Sequence, residues 1–389
     1  MAGASDTRGK CAEGLARGGR IDDAAIRAWE RCHEGLAGAA PDLVVVLVAG
    51  ASPESAEKAL LAVNERASAR VVLGASSDGV VTASPVVGGE PAVSVWAACL
   101  PEAQLRTFHL EVMRTSDHLA VVGLPARSST DHCALLLADP WSFPARAFVD
   151  GAVAALDDLP LLGGLAGGLA PGSARMLIDG RVVNRGAVGV MIGGVRVRAA
   201  VAHSTRPVGP ALTVTRASED MVIELAGSPA AEVIDRVVAA LPGHDQALAS
   251  AGLLMGVVLD EYADEHGQGD FAVQPVLEVD RRTGRAYVAE PIPIGTTVHL
   301  HVVDPEAARS EIAQASRAAA QSGAQGVLVF YGSPRGPLSG DAQGDVLSVR
   351  RELACDGVTA MVTHGSIGPV GQGNRLLGFA TTMLIVPNS

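Results

Sequence analysis

Residues 43–48 read Leu-Val-Val-Val-Leu-Val, a continuous run of aliphatic and mostly β-branched side chains. A run of this kind is typical of a strand that is buried on both faces. Ser52-Pro53-Glu54 follows, and a capping hydroxyl before a proline predicts the start of a helix that extends to about residue 67. A second strand, Ala69–Gly74, then enters the small-residue loop Ala75–Gly79. This strand–helix–strand order predicts an α/β fold.

The same order of elements occurs twice more, so we predict an internal repeat of strand, helix, strand, Gly- or Ser-rich loop and closing strand. The first copy closes with Ala92–Leu100. The second copy comprises Ala134–Ala138, a helix from Phe143 to about Leu156, Leu159–Leu162, the loop Gly163–Gly168 and Ala187–Ile192. The third comprises Gly326–Tyr331, a helix near Ala342–Ala354, Val358–Thr363, the loop His364–Pro369 and Leu377–Val386. The alternative is the alternation that any α/β protein shows.

The segments outside the copies have other patterns. Residues 1–20 are predicted to be a flexible tail, and residues 21–38 an amphipathic helix. Between the second and third copies we expect mainly antiparallel strands, with two further capped helices that begin at Ser228-Pro229 and Asp304-Pro305. We therefore expect two packed halves with mixed sheets flanked by helices. The predicted divisions are residues 1–40, 41–217 and 218–389.

Composition excludes several classes of function. The chain has 30 Lys and Arg against 42 Asp and Glu, a formal net charge of −12. An acidic protein is unsuited to nucleic acid, which needs a basic face, and to an anionic membrane surface. No apolar run approaches the roughly 18 residues of a membrane helix. Five cysteines, odd in number and without a CxxC pair, predict a reducing, cytoplasmic location and no structural metal site.

The three small-residue loops are the candidate ligand site. Loops without bulky side chains let backbone N–H groups approach a ligand, and successive N–H groups can cradle an anion. Tight turns and close strand packing are the alternative explanation. Gly163–Gly168 does not fit GxGxxG, because Leu165 stands at the third position, so no nucleotide cofactor is predicted. The residues predicted to contact a ligand here are Gly74, Ser76, Ser77, Gly163, Gly164, Gly167, Gly168, His364, Gly365 and Ser366.

Two arginines complete the predicted ligand site. Arg206 and Arg335 follow strands beside Gly or Pro, and a guanidinium can hold a carboxylate through two parallel hydrogen bonds. The alternative is a surface guanidinium or a structural ion pair, for Arg206 with Asp139 or Glu219.

Two other chemistries remain weaker hypotheses. Ala75-Ser76-Ser77-Asp78-Gly79 differs by one residue from the serine-hydrolase elbow, but the elbow needs a helix straight after the turn and the following residues look extended. His299 and His301 face the same side of a predicted strand and could bind a metal with Asp304 or His364. The alternative is a polar pair on a sheet face.

Several stretches together resemble FIST-domain proteins, with the FIST N and FIST C halves in order from about Leu43 to Val386. The matching stretches are Gly74–Val81, Asp139–Pro144, Gly163–Gly168, Val188–Val190, Arg206–Gly209 with Val214-Thr215, Glu224–Ala231 and Ile367–Pro369. The resemblance assigns residues 41–217 to a FIST N-like domain and residues 218–389 to a FIST C-like domain. Ser366, Gln274 and Val303 stand where the family usually has charged residues, and Gly332–Gly336 replaces a Cys-Asn-Gly-Arg-Gly-like stretch.

The resemblance implies an intracellular sensory protein that binds a small ligand, an amino acid or another small carboxylate, in signal transduction. Such a protein is not an enzyme, needs no cofactor or metal, and passes its signal to a separate protein partner or through a change in self-association. The first 40 residues are too few for the F-box that accompanies some members. A hydrolase with a loop serine and a ligand-free scaffold remain the alternatives.

Overall fold

The computed structural model describes residues 10–83, 90–114, 119–152, 156, 158–262, 266–320, 323–332, 341–371 and 373–388. Within these residues the chain forms seven α-helices and four sheets. The first repeat contains β1 (Cys11–Arg17), α1 (Ile21–Gly35), β2 (Leu43–Ala49), α2 (Pro53–Asn64), β3 (Val71–Ser77), β4 (Gly79–Val81) and β5 (Ala92–Ala98). The second contains β6 (Gln104–Arg114), β7 (Leu119–Val122), β8 (Asp131–Ala138), α3 (Ala145–Gly151), β9 (Leu161–Leu165), β10 (Met176–Ile178), β11 (Arg181–Val183) and β12 (Ala187–Gly193).

The third repeat is interrupted by an insertion. It begins with β13 (Arg198–His203) and continues after the insertion with α6 (Pro305–Ala319), β21 (Ala324–Gly332), α7 (Ala342–Leu353), β22 (Gly357–Thr363), β23 (Ser366–Val370), β24 (Gly373–Leu377) and β25 (Ala380–Pro387). The insertion contains β14 (Thr205–Ser218), β15 (Met221–Leu225), β16 (Ser228–Pro229), α4 (Ala230–Ala240), α5 (Gly243–Ala251), β17 (Leu253–Val258), a 3-10 turn (Gln268–Asp270), β18 (Phe271–Asp280), β19 (Arg285–Val288) and β20 (Thr297–Val303).

The three repeats share one strand arrangement, which confirms the predicted repetition. Each has a central parallel pair (β2–β3, β8–β9 or β21–β22), with an antiparallel strand beside its first member (β5, β12 or β25). An outer strand, β1, β6 or β13, follows next to it. The loops that end β3, β9 and β22 therefore occupy equivalent positions.

The strand after each loop leaves its own repeat and joins another sheet. β4 of the first repeat pairs with β22 of the third, and β10 of the second pairs with β3 of the first. β23 of the third repeat pairs with β9 of the second and closes the cycle. Each repeat is consequently hydrogen-bonded to the other two through these exchanged strands.

Each of these sheets is buried on both faces, as the sequence predicts for β2. Val45 and Leu47 pack into a central core with Leu135 and Leu137 of the second sheet and Phe330 of the third. The alternate residues of β2 pack against α1 and α2, while α3 covers the second sheet and α6 with α7 covers the third. This alternation is the period of two expected for strands. The predicted α/β class with outer helices is confirmed.

The insertion forms a separate antiparallel sheet, here called the insert sheet, in the order β14-β20-β17-β18-β19-β15-β16. One of its faces packs against α4 through Val222, Val233, Ile234 and Leu300. The predicted division between residues 217 and 218 falls at the end of β14, so this sheet takes strands from both sides of it. That division stays a prediction.

The prediction of a flexible tail over residues 1–20 is wrong for Cys11–Arg17, which form β1 and pair with all of β5. Small side chains let this strand lie directly under α1: a Cβ on Gly14 would be only 2.1 Å from Ala28 O. Such an Ala- and Gly-rich strand carries no alternating apolar signal. Residues 1–9 lie outside the described residues.

Two of the three predicted helix caps are present. Ser52 Oγ accepts a hydrogen bond from Ser55 N at 3.3 Å, and Asp304 Oδ1 accepts one from Glu306 N at 3.0 Å. The cap predicted at Ser228 is wrong, because Ser228 is extended and pairs with Leu225. The short strand β16 delays the start of α4 to Ala230.

Candidate functional site

The first small-residue loop contacts both of the others. Gly167 N of the second loop donates a hydrogen bond to Ser76 O at 2.8 Å. His364 Nε2 of the third loop lies 3.2 Å from Asp78 Oδ2, in a partly exposed pair. The structure therefore brings the three predicted loops together.

The second and third loops meet as neighbouring strands. Gly164 pairs with Ser366, and Gly163 pairs with Ile367. A Cβ on Gly163 would lie 1.8 Å from Leu136 O, a distance that no side chain tolerates. Close packing of backbones thus requires a glycine here.

The same reason applies to other glycines at the place where the three loops meet, which we call the loop junction. A Cβ on Gly167 would lie 2.4 Å from the carbonyl carbon of Ser77 in the first loop. Cβ atoms on Gly74, Gly168 and Gly365 would also meet a neighbouring atom within 3 Å. The small residues that suggested a ligand cradle therefore have a packing role, and ligand contact at these loops stays a prediction.

The serine hydroxyls of the junction are used within the protein. Ser76 Oγ donates to Gly167 O at 2.6 Å and accepts from Arg175 N at 3.0 Å. Ser77 Oγ is 2.5 Å from Gly79 O, and Ser366 Oγ donates to Ala380 O at 2.8 Å. These serines hydrogen-bond to the backbone and not to a histidine, so the structure gives the hydrolase hypothesis no nucleophile–base pair at this place.

Arg206 lies away from the loops, between two carboxylates. Its Nε donates to Asp304 Oδ2 at 2.7 Å, and its Nη2 donates to Asp245 Oδ1 at 2.6 Å. The hydrogen bond to Asp245, opposed by partial burial, raises the pKa of Arg206, and Asp304 adds to the rise. The structural ion pair is therefore present, with partners other than the predicted Asp139 and Glu219. Arg335 lies outside the described residues.

A cavity of about 180 Å³ lies between the insert sheet and the third repeat. One wall is the continuous stretch Arg375–Ala380, and the facing wall is formed by Phe271–Gln274 of β18. Most of the lining is apolar. The remaining lining residues are Arg146, His203, Val257, Leu259, Glu290, Pro291, Pro293 and Val370. We call this space the insert cavity.

Two arginines give the insert cavity its charge. Arg375 Nη1 is held by Asp150 Oδ1 of α3 at 2.9 Å, while its Nε is buried and has no partner in the described protein. Arg146 Nη2 lies 2.6 Å from Glu290 Oε1, and both of these side chains are exposed at the edge. Arg375 therefore has a buried N–H donor that no group of the described protein accepts.

His203 is the buried polar residue of the insert cavity. It is only 6% exposed, and its Nδ1 lies 3.3 Å from Glu311 Oε1 of α6. Its Nε2 is buried and has no partner in the described protein. An imidazole fixed through one nitrogen and unpaired at the other is suited to meet a ligand atom.

Comparisons with known proteins identify the family. The FIST N domain model matches residues 42–228, and the FIST C domain model matches residues 230–369. The chain belongs to the FIST family. FIST domains are generally sensory domains that bind small ligands in signal transduction.

Two mycobacterial proteins are similar to this FIST protein over nearly its whole length. An uncharacterized protein of Mycobacterium tuberculosis is 32% identical over 367 residues, which span 93% of this chain and 95% of that protein. An uncharacterized protein of Mycobacterium bovis is 31% identical over the same proportions.

One departure from the usual FIST pattern lies in the insert cavity. Gln274 lines the wall, and its Oε1 accepts a hydrogen bond from Glu290 N at 2.6 Å. Ser366 instead lies at the loop junction, and Val303 pairs with Thr205 on the insert sheet. Gln274 therefore gives the cavity wall an uncharged amide where the resemblance implies an arginine, while Arg375 supplies a guanidinium.

The two histidines considered as metal ligands surround an aromatic ring. The ring of Phe271 meets His301 edge-on, with centroids 4.6 Å apart, and His299 at 5.2 Å. Burial, with smaller contributions from His299 and His203, lowers the pKa of His301 to about 3. Within the described ranges no three His, Cys, Asp or Glu side chains are grouped to hold a metal ion.

Sequence reasoning missed His203 and Arg375. His203 ends β13 and Arg375 lies in the hairpin β23–β24, so nothing local connects them. The signals in the sequence were a histidine at the end of an apolar strand and an arginine soon after Ile367-Gly368-Pro369.

None of the helices that the structure describes is long and apolar enough to cross a membrane.

Proposed function

We propose that this FIST protein is a non-catalytic sensor whose small ligand binds in the insert cavity. The family supports the sensory role. The observation that carries the location is a largely apolar cavity lined by Arg375 and His203, whose Nε and Nε2 atoms are buried and have no partner in the described protein. Apolar pockets with a few convergent polar groups are the usual form of a ligand site.

The ligand that suits this cavity is a small carboxylate with an apolar body, a class that includes amino acids. The guanidinium of Arg375 is already oriented by Asp150 and has a donor left for an anion. Leu376, Leu377, Phe379 and Phe271 surround the space with apolar groups. Its volume of about 180 Å³ is below that of pockets for drug-sized ligands, which suits a molecule of amino-acid size.

The output of the sensor is proposed to pass to a separate protein in the cytoplasm. All five cysteines are described, and they are free thiols, as a reducing compartment favours. Arg375 stands on the hairpin β23–β24, whose first strand continues from the third loop. A ligand held by Arg375 therefore has a direct connection through β23 to the loop junction. Ligand contact by the junction itself, including Gly163–Gly168, is retained as a secondary proposal.

The test is a thermal-unfolding screen with amino acids and small monocarboxylates. A ligand at 100 times its Kd stabilises the folded protein by about 2.7 kcal/mol, so a clear rise in Tm is expected for a member of this class. Arg375→Gln should abolish the rise. Arg281→Gln is the matched control, because Arg281 also pairs with an aspartate, Asp235, but lies outside the cavity lining.

Two results would contradict the proposal. One is the absence of stabilisation by every compound in the screen. The other is a stabilising compound whose effect is lost in Gly79→Ala at the loop junction but persists in Arg375→Gln, which would move the site to the loops.

A further inference from the structure

A carboxylate and an imidazole form a partly buried pair beside the insert cavity. Glu311 stands on α6, which covers the third sheet, and its Oε1 lies 3.3 Å from His203 Nδ1. Side-chain exposure is 7% for His203 and 18% for Glu311. The pair is thus fixed inside the protein, and only His203 lines the cavity.

The pair determines which nitrogen of His203 carries hydrogen. An ionised carboxylate only accepts hydrogen bonds, so Nδ1 must donate to Glu311. In a neutral imidazole the other nitrogen, Nε2, then holds a lone pair and accepts. That atom is buried without a partner in the described protein, so as the acceptor of a neutral imidazole it is unsatisfied.

The acceptor and the arginine stand at two ends of one wall. His203 pairs in register with Ala380, and the wall runs from Ala380 back to Arg375. Leu376, Leu377 and Phe379 lie between them. The lining therefore has a guanidinium at one end, an imidazole at the other and apolar side chains between them.

We propose that the ligand carries a hydroxyl or amino donor in addition to its carboxylate, and that His203, oriented by Glu311, selects for this donor. The inference rests on the proposed function, because it concerns the ligand of the same cavity. Because Nε2 is already desolvated and unpaired in the free protein, a ligand with a donor gains a hydrogen bond there that a donor-free carboxylate cannot make. A buried polar group discriminates more strongly against a ligand that lacks its hydrogen-bonding partner than an apolar pocket discriminates by size.

The experiment compares the affinities of matched ligands by calorimetry. One series is 4-methylpentanoate, its 2-oxo and 2-hydroxy derivatives and leucine; the other is butanoate, 4-hydroxybutanoate and 4-aminobutanoate. We expect the hydroxy or the amino compound of at least one series to bind about tenfold or more tightly than the donor-free acid, a difference of about 1.4 kcal/mol. Whichever of the hydroxy and amino compounds binds more tightly shows whether the donor of the ligand is a hydroxyl or an amino group.

Variants of the pair provide the second readout. Glu311→Gln keeps the shape, but its amide can donate to Nδ1 as well as accept from it. The variant therefore no longer fixes Nε2 as an acceptor, and the preference for the donor-bearing ligands should weaken. His203→Phe should reduce the preference to less than about twofold. Glu306→Gln, an exposed position on the same helix, is the matched control and should keep the wild-type preference.

The outcomes separate this inference from the proposed function. If the donor-free acids bind as tightly as the donor-bearing ones, and Arg375→Gln weakens all of them, the role of His203 is overturned and the cavity remains the ligand site. An unchanged preference in both Glu311→Gln and His203→Phe, with the fold intact by circular dichroism, would also overturn it. If no compound binds the wild-type protein, both proposals fall together.

Discussion

At the scale of single residues, Gly167 is expected to control the contact between the first two loops. Its missing Cβ would lie 2.4 Å from the backbone of Ser77, so Gly167→Ala should force these backbones apart. Overpacking of this kind typically costs about 1–3 kcal/mol of the free energy of unfolding. Urea denaturation measures it. Gly151→Ala, where nothing lies within 4 Å of the new Cβ, is the control and should change stability little.

Asp345 is expected to make the stability pH-dependent. Burial raises its pKa from 3.8 to about 7, while the hydrogen bond from Tyr331 acts in the opposite direction. The native state then retains a proton that the unfolded chain releases above about pH 4, so the free energy of unfolding falls as the pH rises toward 7. Asp345→Asn removes this fall. We expect the variant to gain about 2 kcal/mol relative to the wild type between pH 5 and pH 8.

Denaturant titrations of both proteins at pH 5 and pH 8 measure this gain. Burial also raises the pKa of Glu13 to about 7, which leaves a similar slope in both proteins and cancels in the difference. Asp235→Asn, in the exposed pair with Arg281, should change the free energy of unfolding by less than about 1 kcal/mol at either pH. An equal difference at the two pH values would show that Asp345 is not protonated in the native protein.

At the scale of elements, the edge strand β1 is expected to be part of the folding unit. It pairs with β5 over seven residues, packs Ala12 and Ala16 under α1 and adds Leu15 to the central core. A chain that begins at Ile21 loses these contacts and exposes the edge of β5. Its Tm should be several degrees below that of a chain that begins at Lys10, since about 1 kcal/mol shifts Tm by a few degrees in a protein of this size. Equal Tm values would mean that β1 contributes nothing to stability.

At the scale of the whole molecule, the exchange of strands predicts that the two FIST halves depend on each other. A fragment of residues 10–229 contains β4 but not its partner β22, and it lacks the wall of the central core formed by Phe330 and Met361. We expect this fragment alone to unfold without a cooperative transition. Mixing it with residues 230–389 should restore cooperative unfolding, as followed by circular dichroism in urea. Cooperative unfolding of the first fragment at the wild-type midpoint would contradict this.

The sequence by itself determined the features that depend only on residues close together in the chain. The run at 43–48 predicts a doubly buried strand because its six residues are all apolar, and all seven residues of β2 are indeed buried. Ser52 and Asp304 predict their helices because a cap needs only neighbouring backbone N–H groups. The recurrence of strand, helix, strand and small loop predicts the repeats, since each copy is one supersecondary unit.

Only the tertiary structure decided how these units combine. The exchange of β4, β10 and β23 depends on pairing between distant segments, which leaves no periodic signal in any one of them. The same small loops that suggest an anion cradle are explained by backbones that approach within van der Waals distance at the junction. The insert cavity exists because β13, β18 and the hairpin β23–β24 meet, which brings His203 and Arg375 to one wall. Side chains that far apart in the chain become a site only through packing, and packing is not encoded in local spacing.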